Sequence, residues 1–248
     1  MTAPIRPDTT ERGTMGMPRM IRRPWLTLGV FAVTATVNLI QLTVDPRLLR
    51  SLERTSAGLH SDWWRTFASL FVQDGGVLGT LSNLVFLLVL GAVAESVTSR
   101  PRWLLAYFGT GLIGELAGYS WQPTGGGNSV AVCGLAAVLA WALVRRPRSV
   151  PAIAAPATLV WCGVLFTTWY VPLVVLGAVP AAVTPRLIQA RWGGLGFLVL
   201  GVCVATAVTL TAARNIHGAA LLAGLLLAAA LTWREKPGPV RGSRPLRA

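Results

Sequence analysis

Residues 129–148 read SVAVCGLAAVLAWALVRRPR. No charge interrupts the stretch from Ser129 to Val144, and it closes on Arg145, Arg146 and Arg148. An uncharged run near the length that crosses a hydrocarbon core of about 30 Å, ended by arginines, reads as a membrane helix with its topology signal. Working outward, the same pattern recurs. Eight apolar stretches run approximately 25–44, 76–94, 103–120, 129–144, 150–168, 170–184, 193–212 and 215–233. The chain is 53% hydrophobic and 12% charged, where a soluble domain carries about a quarter charged residues. The fold class expected is all-α, a polytopic transmembrane helix bundle whose backbone polar groups are satisfied inside each helix.

The stretch 150–184 leaves two readings open. It is either two short spans hinged near Trp169-Tyr170-Val171-Pro172, or one span plus a buried piece. Charge arbitrates. With the N-terminus inside and eight spans, the cytoplasmic side holds 17 basic residues. The other side holds five, Arg47, Arg50, Arg54, Arg65 and Arg214, partly offset by Asp45, Glu53, Asp62 and Asp74. Only the hairpin reading places both the Arg186/Arg191 joint and the C-terminal tail inside. The organisation expected is a cytoplasmic basic tail over 1–24, a transmembrane domain over 25–233 and a cytoplasmic basic tail over 234–248. The first apolar run is too long for a signal peptide and lacks a cleavage pattern, so it reads as an uncleaved anchor.

The net charge of +13 does not point to nucleic acid, because the cations sit at helix ends and tails and not in a patch with interleaved aromatics. Only Lys236 among the basic residues is not arginine, and with abundant Ala, Gly and Val this suggests a GC-rich bacterial genome and a cell-membrane location. Cys133, Cys162 and Cys203 all fall in apolar stretches and read as small packing residues. Their spacing suits neither a metal site nor a disulfide framework, and no metal or cofactor is expected.

Polar residues inside hydrocarbon are expensive, so each is a functional hypothesis. The short list is Asn83, Glu115, Asn128, Ser129 and His217. Asn83 precedes Arg100 by 17 residues, Ser129 precedes Arg145 by 16, and His217 precedes Arg234 by 17. At 1.5 Å per residue, all three lie about 24–26 Å above the inner boundary, near the outer face. An amide, a hydroxyl and an imidazole therefore share one depth on three helices, as an oxyanion donor, a nucleophile and a base would. Bland alternatives exist for each. Ser129 could bond the carbonyl four residues back, Asn83 could bridge two helices, and His217 could be structural. Glu115 reads as hydrogen-bonded to a neighbouring helix, protonated or not.

The residues around Ser129 carry a family resemblance. Gly127-Asn128-Ser129-Val130-Ala131-Val132-Cys133-Gly134 resembles the rhomboid nucleophile segment, with Gly134 the small residue five after the serine. A register with Cys133 as nucleophile breaks that match and sinks the thiol one turn deeper. Asn83, followed by an apolar run and then Gly91-x-x-x-Glu95, resembles the rhomboid second helix. Trp64-Arg65 resembles the family's Trp-Arg motif, and His217 with Ala220 and Gly224 resembles its last helix. The four matches stand in family order.

The resemblance implies a six-helix core, here with an added helical hairpin. It implies an intramembrane serine endopeptidase that cleaves transmembrane helices of substrate proteins through a dyad of Ser129 and His217, without an orienting carboxylate. Asn83, with Gly127 and Asn128 in support, would serve the oxyanion. Partners would be membrane-protein substrates and the bilayer. The glycine run 125–127 would bend the chain so that Ser129 opens a helix. Three departures stand out: the family's second-helix histidine is Gly79, the glycine after the serine is Val130, and an aromatic under the histidine is Cys133. Asn128 or a backbone N–H would replace the lost donor, and Gly79→His would raise activity. The competing functions are a weak or inactive rhomboid-like pseudoprotease that binds membrane helices, which Gly79 favours, and a transporter or channel, which the absence of paired interrupted helices disfavours.

Overall fold

The computed structural model describes residues 23–167 and 170–233. Most of the expected N-terminal tail, the C-terminal tail and Trp169 of the proposed hinge lie outside the described residues. The described residues form helices and connecting loops, with one isolated antiparallel bridge between Arg54 and Gly125.

Each of the eight apolar stretches holds a helix. The long ones are α1 (Trp25–Thr43), α4 (Gly76–Val97), α7 (Ser129–Arg145), α9 (Val175–Gln189), α10 (Leu195–Ala212) and α11 (Ile216–Trp233). The third stretch is α5 (Arg100–Leu104) and α6 (Thr110–Trp121), joined without a break by a π-helical turn over Leu105–Gly109. The fifth is the short α8 (Ala154–Val164). The loop between α1 and α4 adds two small helices, α2 (Arg47–Leu52) and α3 (Arg65–Ala68). Among the described residues, α1, α4, α10 and the stretch Val171–Gln189 are long and apolar enough to cross a membrane. The protein is membrane-embedded.

The ambiguous segment resolves as a hairpin with unequal arms. α8 has 11 residues, about 16 Å, which is too short to cross a hydrocarbon core. It is buried instead, with the Trp161 ring tilted against Phe86 of α4 at 4.8 Å between centroids. Gly163 and Gly177 let the arms touch, since a Cβ on Gly177 would overlap the Leu159 carbonyl. α9 is the exposed arm, and the Thr184 hydroxyl bonds the Pro180 carbonyl at 2.9 Å within it.

α7 is the centre of the bundle. Nearly every residue from Val130 to Leu143 is buried, against α4, α6, α8, α10 and α11. Small residues set the approach distances. A Cβ on Gly134 would overlap the Ala106 carbonyl and the Thr110 hydroxyl, so α7 lies directly on the π-helical turn. A Cβ on Gly224 would come 2.9 Å from Ala137 Cβ and 3.0 Å from Gly134 Cα, so α11 crosses α7 at the same glycine. Close backbone approach of this kind is what binds helices that lipid cannot drive together.

The Gly91-x-x-x-Glu95 motif has a structural role. Glu95 is buried and accepts hydrogen bonds from the backbone N–H of Leu26 and Thr27 at 3.1 and 2.9 Å, and from the Thr27 hydroxyl at 2.9 Å. It caps α1 from a neighbouring helix, supplying acceptors that the capping position Pro24 does not. Gly91 leaves room for the Thr27 methyl and gives its carbonyl to Trp103 Nε1 at 3.0 Å.

Candidate active site

Ser129 is the first residue of α7, as the glycine run suggested. That run is stitched down backbone by backbone. Gly125 exchanges N–H and carbonyl bonds with Arg54 at 2.9 and 3.2 Å, the Asp74 N–H donates to the Gly126 carbonyl at 3.1 Å, and the Gly127 N–H donates to the Ser69 carbonyl at 2.9 Å. The loop leading into Ser129 is thus held by the segment between α1 and α4. Gly125 sits at φ 149, a conformation open to glycine and strained for other residues.

His217 is the second residue of α11, and its Nε2 lies 2.9 Å from Ser129 Oγ. Both side chains are half-buried, so the pair is reachable from outside the bundle. Asn215, one residue before α11, does two things. Its Oδ1 accepts the His217 backbone N–H at 3.0 Å, the bond of a helix N-cap. The same atom lies 2.8 Å from His217 Nδ1. An amide oxygen is only an acceptor, so Nδ1 carries the proton and Nε2 presents its lone pair to the serine hydroxyl. The residue that holds the imidazole is thus an amide, Asn215, which the sequence reading did not single out. The signal was present: Asn just ahead of an apolar helix is a capping residue.

Asn83 lies on α4, buried, and donates through Nδ2 to Gln73 Oε1 at 2.8 Å. Gln73 is a second residue that sequence reasoning missed. Its carboxamide lies in a cradle of glycines: a Cβ on Gly75 or Gly79 would come 3.0 or 3.2 Å from Nε2, and one on Gly127 would come 3.0 Å from Oε1. That last point is also 3.2 Å from Ser129 Oγ, so the Gln73 amide stands near the Ser129 hydroxyl. The space at Gly79 is therefore occupied. A histidine there has to share that space with the end of the flexible Gln73 side chain, which must give way for it. Asn128 is buried, and its Nδ2 makes no hydrogen bond among the described residues. Its amide hydrogens thus have no acceptor there.

The remaining candidates hold the frame. Cys133 is fully buried and donates to the Ser129 carbonyl one turn back at 3.3 Å. Cys162 and Cys203 are free thiols whose sulfurs lie 3.6 Å apart in the core. Arg65 bonds Asp62 at 3.0 Å and the Arg50 carbonyl at 2.8 Å, with its guanidinium 5.2 Å over Trp64, so the Trp-Arg pair knits the loop between α1 and α4. Trp63, Trp64 and Phe67 are exposed, as interfacial aromatics are.

Arg54, counted at the outset among ordinary external cations, is completely buried and forms an ion pair with Glu115. Glu115 thus has a charged partner from the loop, beyond the helix contact anticipated for it. Arg54 also donates to the Gln122 carbonyl at 2.5 Å, while Gln122 Oε1 accepts the Ile216 N–H at 3.2 Å. One buried arginine thereby connects the loop between α1 and α4, the end of α6, the glycine run before Ser129 and the start of the helix that carries His217. Desolvation raises the Asp74 carboxyl above its ordinary range as it folds against the same loop.

A family model for the Rhomboid domain matches residues 60–235. No curated protein matches the chain.

Proposed function

The chain belongs to the rhomboid family, whose members are intramembrane protease-like, and from that premise we propose that it is a serine endopeptidase cutting transmembrane helices of other membrane proteins. One observation carries the reading: a serine and a histidine 88 positions apart in the chain meet at 2.9 Å with the imidazole already in the tautomer of a base.

The chemistry follows from the positions. Ser129 Oγ attacks the scissile carbonyl carbon as His217 Nε2 takes the hydroxyl proton. The imidazolium keeps its Nδ1–H on Asn215, which fixes the ring while it is charged. The developing oxyanion faces the N-terminus of α7, where the Ser129 N–H is an unpaired helix donor and the dipole favours negative charge. Asn83 supplies a side-chain N–H. When the carbon–nitrogen bond breaks, His217 returns the proton to the leaving amine, leaving an acyl ester on Ser129. A water then attacks the ester with His217 again as base, releasing the new carboxylate. In this reading the site lies near the outer face, both termini are cytoplasmic, and residues 25–233 form the working unit. Water enters from the half-buried side of the pair.

A tagged single-span substrate co-reconstituted with the protein in liposomes tests this. Cleavage by wild type that vanishes in Ser129→Ala and in His217→Ala supports the endopeptidase. Undiminished binding of the helix with no cleavage by any of the three identifies the pseudoprotease, the reading that Gly79 favours.

A further inference from the structure

The loop between α3 and α4 is clamped from α1 at two points. Asn38 Nδ2 donates to the Phe71 carbonyl at 2.9 Å, and Gln41 holds residue 73 by both backbone groups, accepting its N–H at 3.0 Å and donating to its carbonyl at 2.6 Å. All three side chains, Asn38, Gln41 and Gln73, are buried. Buried amides bonded to backbone on a neighbouring segment hold that segment in one arrangement. What the clamp presents is the Gln73 carboxamide, seated among three glycines between Asn83 and the turn that leads into Ser129.

We propose that Gln73 is a positioning residue of the active site, which fixes the Asn83 amide for the oxyanion, and that Gly75, Gly79 and Gly127 are small because its carboxamide occupies their space. The proposal rests on the serine-endopeptidase reading. An Asn amide rotates freely about its last torsion unless both ends are constrained. The bond from Asn83 Nδ2 to Gln73 Oε1 engages one of the two amide hydrogens and sets the amide plane. The second hydrogen then has a defined direction and stays free to donate. Preorganised donors of this kind stabilise a transition state because they need not turn when the charge appears. The bond that orients Gln73 itself goes through its backbone, so its side chain can be altered while the clamp from Gln41 remains.

The test is a double-mutant cycle on cleavage of the liposome substrate, with kcat and KM measured separately. Gln73→Met keeps the length and removes the acceptor. It is expected to lower kcat about tenfold, the size of one neutral hydrogen bond, with KM and thermal stability close to wild type. Asn83→Ala is expected to cost about a hundredfold or more. Because Gln73 acts through Asn83, adding Gln73→Met to Asn83→Ala should cost nothing further. Gln73→Glu, which sets a negative charge beside the oxyanion, should lose more than Gln73→Met. Unchanged kcat in Gln73→Met, or effects of the two substitutions that multiply, overturns the positioning role while leaving the endopeptidase standing. A wild-type protein whose cleavage does not depend on Ser129 removes both together.

Discussion

Asn215→Ala separates two jobs that one oxygen performs. The substitution removes the acceptor 3.0 Å from the His217 backbone N–H and 2.8 Å from His217 Nδ1. The first loss is an N-cap, worth about 1 kcal/mol of stability. The second is a hydrogen bond that holds the imidazole ring and its tautomer, worth about 0.5–1.5 kcal/mol, or about two- to tenfold in rate at 1.4 kcal/mol per decade. The assay is the rate of covalent labelling by a fluorophosphonate under excess probe, read beside thermal unfolding in detergent. Asn215→Ala should slow labelling within that range and lower stability by about 1 kcal/mol. Asn215→Ser should restore the cap, because a serine hydroxyl reaches the N–H two residues on, but not the ring, which the shorter side chain leaves unsupported. Its stability should therefore approach wild type while labelling stays slow. Wild-type labelling by both variants would refute the assignment of Asn215 as the residue that orients the base.

Two further substitutions probe the frame. Arg54→Ala leaves Glu115 buried without its partner and should destabilise the protein by about 3–5 kcal/mol, whereas the paired change Arg54→Met with Glu115→Met should lose much less; thermal unfolding of the three forms decides it. Gly134→Val drives a branched side chain into the Ala106 carbonyl and the Thr110 hydroxyl, so α7 must retreat from the π-helical turn. A loss of about 1–3 kcal/mol is expected, together with loss of labelling as Ser129 moves from His217, and labelling at the wild-type rate would contradict the close contact.

The bundle and the pairing of Ser129 with His217 were legible because hydrocarbon makes polarity conspicuous. Ser129, Asn83 and His217 stood out against apolar runs, and the arginines closing each run gave their depth. What was not legible lies in loops, where polar residues are ordinary and periodicity is absent. Gln73 is one more amide in a polar stretch, and only the coordinates put it against Gly79 and Gly127. Arg54 looked like one of several external cations, yet it is the one that is buried on Glu115. The absence of a histidine at position 79 was plain, but a sequence cannot say that a side chain from six residues earlier fills the gap. The short α8 hid for a different reason: Pro151 and Pro156 are compatible with a helix start at several places, so an apolar run of nearly 20 residues did not disclose that only 11 are helical.

Mapping the fluorophosphonate adduct by peptide mass spectrometry tests the central claim most directly. A single adduct on Ser129 in the wild-type protein, missing from His217→Ala, is the result that a working serine–histidine pair predicts. No adduct on Ser129, or one of equal yield after His217 is removed, would mean that the two side chains touch without reacting.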